Sequence, residues 1–317
     1  MKKLIFLILL MTLFSRLFLT EAYAQQLSLE ITPSLIEIIA KPGKSITQAF
    51  EISNKSDRDL YLTANIYPFS AQGNEGRVNL DLNSQECWQM PCGEVFSLEN
   101  SGIELNETFL IKSGENQQLV LRVNMPEIIM DDGYFTFLVS QSSEGDFLNT
   151  SGIVGMGAIG TNILATISED GVNRSKMRID EFSTDKVVVD IFNQLLFKGV
   201  VSNQGSSFGK IDGEIHINNI LSKNKVILYL RQDNVLTNGR KQIACRTDTE
   251  EIETKDCSFS SVLPGIFSAK LFLNGEEEES EMTRFVVFPV KIFIAFLVGG
   301  FFAYFLRKKR NLNKLVA

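Results

Sequence analysis

Through most of the chain, apolar residues recur at every second position. Leu27, Leu29 and Ile31 alternate with polar neighbours, as do Leu119, Leu121, Val123 and Met125; Phe135, Phe137 and Val139 share one face, and so do Ala269, Leu271 and Leu273. A period of two sends successive side chains to opposite faces of a strand, so each run predicts a strand with one buried face. Few stretches between the two ends hold a helical period over three turns. Prolines 33, 42, 68, 91, 126 and 264 fall at the edges of the runs, where a missing N–H breaks no ladder. Turn-forming stretches such as KPGKS, SNKSDRD and NSGIELNE recur at sandwich spacing. The pattern predicts an all-β chain of two antiparallel β-sandwiches in tandem. The polar stretch SEDGVNRSKM at 168–177 divides them into domain one, 27–167, and domain two, 178–288.

The two ends break this pattern with continuous apolar runs. The first, residues 1–24, has Lys2 and Lys3, then apolar Leu4 to Phe14, then the small-x-small site Ala22-Tyr23-Ala24; that order predicts a cleaved secretory signal peptide. The last run, 290–306, contains only one charge, Lys291. As a helix its 17 residues rise about 25 Å, and Lys291 snorkels outward from the first turn, so a single transmembrane span is expected. Arg307, Lys308, Lys309 and Arg310 open the basic tail 307–317. By the positive-inside rule they hold the C-terminus in the cytoplasm and leave an extracytoplasmic N-terminal ectodomain. Gly299 and Gly300, with Ala303 nearby, would let a partner helix approach closely if the chain were an accessory subunit of a membrane complex.

Charge narrows the partners. The whole chain is −7, but residues 25–284 carry 22 basic against 37 acidic residues, a net −15. Such a surface excludes nucleic acid as an expected partner and is repelled by anionic lipid headgroups and wall polyanions unless cations bridge them.

The stretch ITPSLIEIIAKPGKSITQAFEISNKSDRDLYLTANIYPF runs proline, strand, Pro-Gly turn, strand, Asn-x-Ser turn, strand. It resembles the opening of the immunoglobulin-like domains of the WxL-interacting family of bacterial surface proteins and, more weakly, of periplasmic pilus chaperones. VNMPEIIMDDGYFTFLVSQ is similar to the family's Pro, Asp-Gly-Tyr, strand order, and NVLTNGRKQIACR and LPGIFSAKLFLNGEEEESEMTRFVVFP before the apolar run complete the likeness. The resemblance implies two tandem immunoglobulin-like sandwiches and a C-terminal membrane anchor in a bacterial surface protein. One domain would contact peptidoglycan and the other a protein partner. No arginine–lysine pair stands out that matches a pilus-subunit anchoring site.

Four cysteines, Cys87, Cys92, Cys245 and Cys257, allow three pairings. Proximity and the domain boundary favour Cys87–Cys92 and Cys245–Cys257, short loops whose closure contributes about 2–3 kcal/mol each. A Cys-x-x-x-x-Cys spacing in a β-loop argues for a staple rather than a redox centre. Zinc would need four ligands, and the sequence places no histidine near either pair. Trp88, the only tryptophan, sits inside the first pair. It either folds back as a local core or, with Met90 and Pro91, forms an exposed apolar binding loop that stacks on a sugar or enters a partner groove.

Gly205-Ser206-Ser207-Phe208-Gly209 matches G-x-S-x-G, but the strand-like KIDGEIHI follows where a nucleophile elbow needs a helix. The only histidine, His216, falls on the outward face with Glu214 and Asn218, with no acid–base partner specified. Gly155 to Gly160 matches G-x-G-x-x-G, yet strand-like TNILATIS follows, so no helix N-terminus is available for a pyrophosphate. GEEEESE at 275–281 reads as a solvated hairpin tip rather than a calcium site, which would also need Asp, Asn or carbonyl ligands at fixed offsets. The Asn-x-Ser/Thr sites at Asn54, Asn106, Asn149 and Asn173 would be glycan acceptors in a eukaryote and turn residues in a bacterial protein of the kind the resemblance implies. No catalytic residue, metal, cofactor or small-molecule substrate is expected. The expected role is a non-enzymatic, membrane-anchored surface protein that binds a cell-wall polymer or another surface protein. The alternatives are an extracytoplasmic chaperone that uses a strand edge, and a membrane-complex subunit.

Overall fold

The computed structural model describes residues 28–73, 76–142, 157–246, 256–274 and 280–315. Domain one contains β1 (Leu29–Thr32), β2 (Leu35–Ala40), β3 (Ser45–Asn54), β4 (Leu60–Gln72), β5 (Arg77–Leu80), β6 (Glu86–Cys87), β7 (Met90–Pro91), β8 (Phe96–Leu98), β9 (Thr108–Ile111), β10 (Asn116–Asn124), β11 (Gly133–Gln141) and β12 (Ala158–Ile167). One sheet runs β1-β3-β10-β8 and the facing one β2-β12-β11-β4-β5, with β9 on β4. This is the immunoglobulin arrangement: the first strand divides at Pro33, so β1 pairs antiparallel with β3 while β2 crosses to the other sheet and pairs parallel with β12.

Domain two contains β13 (Met177–Thr184), β14 (Val188–Asp190), β15 (Leu195–Asn203), β16 (Gly209–Lys210), β17 (Gly213–Asn219), β18 (Lys225–Tyr229), β19 (Asn234–Val235), β20 (Arg240–Gln242), β21 (Ser258–Phe259), β22 (Gly265–Leu273) and β23 (Ser280–Phe288). The same scheme recurs: β13-β15-β20 with β21 on β15 faces β14-β23-β22-β17-β18, and β14 pairs parallel with β23. Each sandwich closes on its own core. Phe50, Leu62, Leu119, Leu121, Phe137 and Val139 are fully buried in the first, and Leu195, Val201, Ile215, Ala269 and Leu271 in the second. The period-two runs of the sequence supply these inward faces. Pro68 departs from expectation because it lies inside β4. It is tolerated where the strand changes partner: the ladder with β11 ends at Pro68 and the ladder with β5 begins at Phe69.

Beyond β23 the chain turns at Pro289 into a helix, Val290–Leu315. It starts where the apolar run starts but continues through Arg307 to Arg310, because neither a glycine nor a proline stops it and Lys and Arg are good helix formers. Among the described residues no helix is long and apolar enough to cross a membrane; the side chains described end at Phe305, with Arg307 beyond it. The signal-peptide residues lie outside the described part of the chain.

Candidate functional site

Both proposed disulfides are present, Cys87–Cys92 and Cys245–Cys257, with Cα–Cα distances of 4.8 and 4.9 Å. The first closes a hairpin in which Cys87 faces Met90 across the two residues Trp88 and Gln89, both at positive φ (53° and 61°). That is the signature of a type I′ turn, which Asn-Gly usually fills. A tryptophan in this conformation is held by what its ring reaches. Nε1–H donates to the Asp131 carbonyl at 2.9 Å, and the ring meets Phe135 edge-on at 4.9 Å. Gly133 leaves the space, since a Cβ there would come within 2.4 Å of the indole. Trp88 is therefore 9% exposed and belongs to the core of domain one. This corrects the exposed-aromatic reading: burying the large ring with its N–H satisfied leaves nothing to stack on a sugar. Met90 packs half-buried against the same core, and only Pro91 faces solvent.

A short step from this hairpin, Asp132 joins the two domains. Its Oδ1 accepts from Thr166 Oγ1 at 2.8 Å. Its Oδ2 accepts from Tyr134 Oη at 2.9 Å, from the Phe208 N–H at 2.5 Å and from Thr237 Oγ1 at 3.0 Å. Two donors come from each domain, and the Thr237 N–H also donates to Tyr134 Oη at 2.9 Å. Burial pushes the Tyr134 phenol well above its ordinary value, the Thr237 donors pull it back, and the Asp132 charge adds to the rise. Around this polar centre Phe69, Leu164 and Phe208 form a small apolar cluster. Nothing local in MDDGYF announced this role, because Asp132's two partners in domain two lie 76 and 105 residues away.

Beside the junction a cleft of about 380 Å³ opens between the domains, lined among others by Ser34, Asn162 and Leu164 of domain one and by Asn234 and Lys241 of domain two. Glu37 at its rim holds Lys210 at 2.7 Å and accepts from Asn234 Nδ2 at 2.7 Å. Burial raises the Glu37 carboxyl, but these two partners outweigh it, and its pKa falls below the usual range. Lys241, sunk in the cleft, has its pKa lowered by burial, with Asp233 opposing and Arg231 adding to the shift.

The strand that runs out of this cleft is only half paired. β11 lines one side of β12 from Ala158 to Ala165, but β2 reaches the other side only from Asn162 onward. The Asn162 N–H donates outward to Ser34, and the Gly157 carbonyl accepts inward from Gln141. By strand alternation, Ala158 and Gly160 turn their N–H and C=O groups outward. Among the described residues no strand pairs with them. The unpaired residues Ala158, Ile159 and Gly160 carry no charge, and Thr161 beyond them is buried, its Oγ1 donating to the Pro33 carbonyl at 2.6 Å.

The other residues singled out in the sequence are placed as follows. Lys291 Nζ lies 3.8 Å from Asp190 Oδ2 and is otherwise exposed. Gly299 and Gly300 are exposed on the helix with no atom within 4 Å of a Cβ built on either. Arg307 is exposed, and the side chains of Lys308, Lys309 and Arg310 lie outside the described set. His216, expected without a partner, holds Glu214 at 2.6 Å and packs on Phe272, because residues two apart on a strand share a face. Ser207 of the G-x-S-x-G match is buried and accepts from the Arg174 N–H, and β16 follows it. Asn54 is buried, donating to the Arg58 and Ile111 carbonyls. Gly155, Met156, Asn149 and residues 275–279 fall outside the described residues. Among the described residues no cluster of three metal-ligating side chains occurs.

No protein-family model matches the chain, and no curated protein matches it. Solved structures do. The class 5 fimbriae chaperone CfaA is similar over 83% of this chain and 100% of its own, at 11% identity and a TM-score of 0.38. The Salmonella enterica SafA pilin in complex with the SafB chaperone matches over 83% and 98%, at 10% identity and 0.38. The E. coli chaperone DraB matches over 83% and 96%, at 10% identity and 0.36. These neighbours are fimbrial chaperones rather than WxL-interacting proteins, and at this level of similarity no residue role passes from them to this chain.

Proposed function

We propose that this chain is a non-enzymatic, extracytoplasmic protein, anchored in the membrane by residues 290–306, that holds an extended segment of another surface polypeptide along the open edge of β12. The observation that carries this reading is the half-paired strand: Ala158 and Gly160 present two outward N–H groups and two carbonyls to an incoming strand, the arrangement on which β-augmentation depends. The segment would continue the line that β2 follows beyond Asn162 and would end at the interdomain cleft. Four bonded elements around Asp132 keep the cleft and the edge in one geometry. A wall-polymer ligand loses its best candidate residue with the burial of Trp88.

Domain two offers a comparison edge. β14 covers only Val286 to Phe288 of β23, but the open part carries Glu281 and Arg284 and follows the glutamates at 276–279. Charges of this kind discourage strand addition. The test is a pair of proline substitutions in the full chain, each removing one outward N–H, at Ala158 and at Met282. A photo-crosslinker at Ile159 maps the captured segment. Crosslinks to one extended segment of a surface protein, lost in Ala158→Pro and kept in Met282→Pro, are expected. Equal capture by both variants, or no crosslink at all, would sink the edge reading.

A further inference from the structure

The end of domain two from which the C-terminal helix leaves is unusual for so acidic an ectodomain. Asp190 of β14 lies opposite Phe288, the last residue of β23, and Gly265 at the start of β22 lies opposite Val287. The Ile220 N–H donates to Ile266, and the Phe192 N–H to Ser261. These registers gather three loops, 191–194, 220–224 and 260–264, around the point where the helix begins. Together they contain no aspartate or glutamate. The opposite end of the same sheet carries Asp212 and Glu214.

Among their exposed residues these loops present large apolar side chains beside uncharged polar ones and Lys223. Phe192 is 71% exposed, Leu221 74% and Val262 62%, and Ile220, Leu263 and Phe288 are exposed beside them. Phe192 does so at a φ of 67°, a conformation a bulky residue seldom adopts. Asp190, the acid at the end of β14, is tucked in and faces Lys291 at 3.8 Å, and Asp185, held by the Leu196 N–H, pairs with Lys186. Lys223 in the second loop is exposed at the rim.

We propose that this end of domain two is a membrane-interface seat, its three loops resting in the boundary between headgroups and acyl chains of the bilayer that the helix enters. The occupant is a lipid surface because the patch surrounds the root of an apolar helix and its flanking charges are cations. Apolar tips with lysine at the rim are the chemistry of interfacial insertion. Seating these loops fixes the tilt of domain two and so the direction in which domain one carries its open edge. The inference rests on the proposed anchor.

The test uses the full chain reconstituted in phosphatidylcholine vesicles with plain or brominated acyl chains. Phe192→Trp and Leu221→Trp are read separately, so that one failure to fold does not decide the result. Tyr61→Trp on domain one serves as control, and the Trp88 signal of the unsubstituted protein is subtracted. Alkaline carbonate extraction is run on the same vesicles. Blue-shifted emission at 192 and 221, quenched by bromolipid while the Tyr61→Trp signal is not, supports the seat. Carbonate-resistant protein with unquenched emission at both loop positions overturns the seat and leaves the anchor standing. Release of the protein by carbonate overturns the anchor, and the seat with it.

Discussion

The two domains repeat one strand order and use it differently. In each, the first strand divides and its second half pairs parallel with the last strand of the domain, and in each that pairing is incomplete. Among the described residues, domain one leaves an uncharged stretch of β12 without a second strand partner next to a cleft. Domain two has a charged stretch of β23 that no described strand covers, and it presents exposed apolar loops at the end where the helix begins. Topology is therefore the same in both while the surfaces that can engage something else are not. The lesson is that in a tandem β-sandwich the backbone scheme sets where edges lie, and a few side chains set which edge is available.

The disulfides sharpen the contrast. Cys87–Cys92 spans 5 residues and clamps a turn whose tryptophan belongs to the core; Cys245–Cys257 spans 12 and ties the chain just before β21 to the segment that follows β20. Replacing Trp88 by alanine should cost about 3–5 kcal/mol, the scale for emptying a buried aromatic site. Calorimetry should show the transition of domain one falling while that of domain two holds. A joint fall would mean the two sandwiches unfold as one unit.

A smaller effect is expected at the junction that binds the unlike halves together. Asp132→Ala leaves the Phe208 N–H and the Thr237, Thr166 and Tyr134 hydroxyls short of their shared acceptor and should cost about 1–3 kcal/mol. Small-angle scattering should then show a wider spread of interdomain angles. An unchanged scattering profile would mean that the cluster of Phe69, Leu164 and Phe208 holds the angle without the carboxylate.

The smallest effect is a pH dependence. The folded Tyr134 phenol keeps its proton above the ordinary value of about 10, so its contribution is complete below that pH. It is lost as pH rises further, because the unfolded chain releases a proton that the folded chain retains. Tyr134→Phe should lose this part of the slope in alkaline denaturation. Taking the difference between variant and parent separates it from Lys241, whose lowered pKa acts with the opposite sign. An identical slope in both proteins would place the proton elsewhere.

Much of the scaffold was legible in the chain. Leu119, Leu121 and Val123, or Ala269, Leu271 and Leu273, declare their strands because alternation is a property of neighbours, and the cysteine pairs declare themselves because their loops are short. The candidate site was scarcely legible. Ala158 and Gly160 read as ordinary members of a last strand, and their openness depends on how far β2 reaches along the other side. Trp88 was ambiguous in the sequence because a hairpin turn can aim a ring either way, and Gly133, 45 positions on, decided it by leaving room.

By itself the sequence determined two strand-rich sandwiches, their staples, an acidic middle and apolar ends, since composition and periodicity act through adjacent residues. Only the tertiary structure decided that Asp132 bonds to both domains, that the start of β12 has no second strand partner among the described residues, and that exposed apolar loops converge where the helix begins. Each of these depends on segments tens of residues apart meeting at a set register, and pairing across such distances leaves no mark in the local pattern.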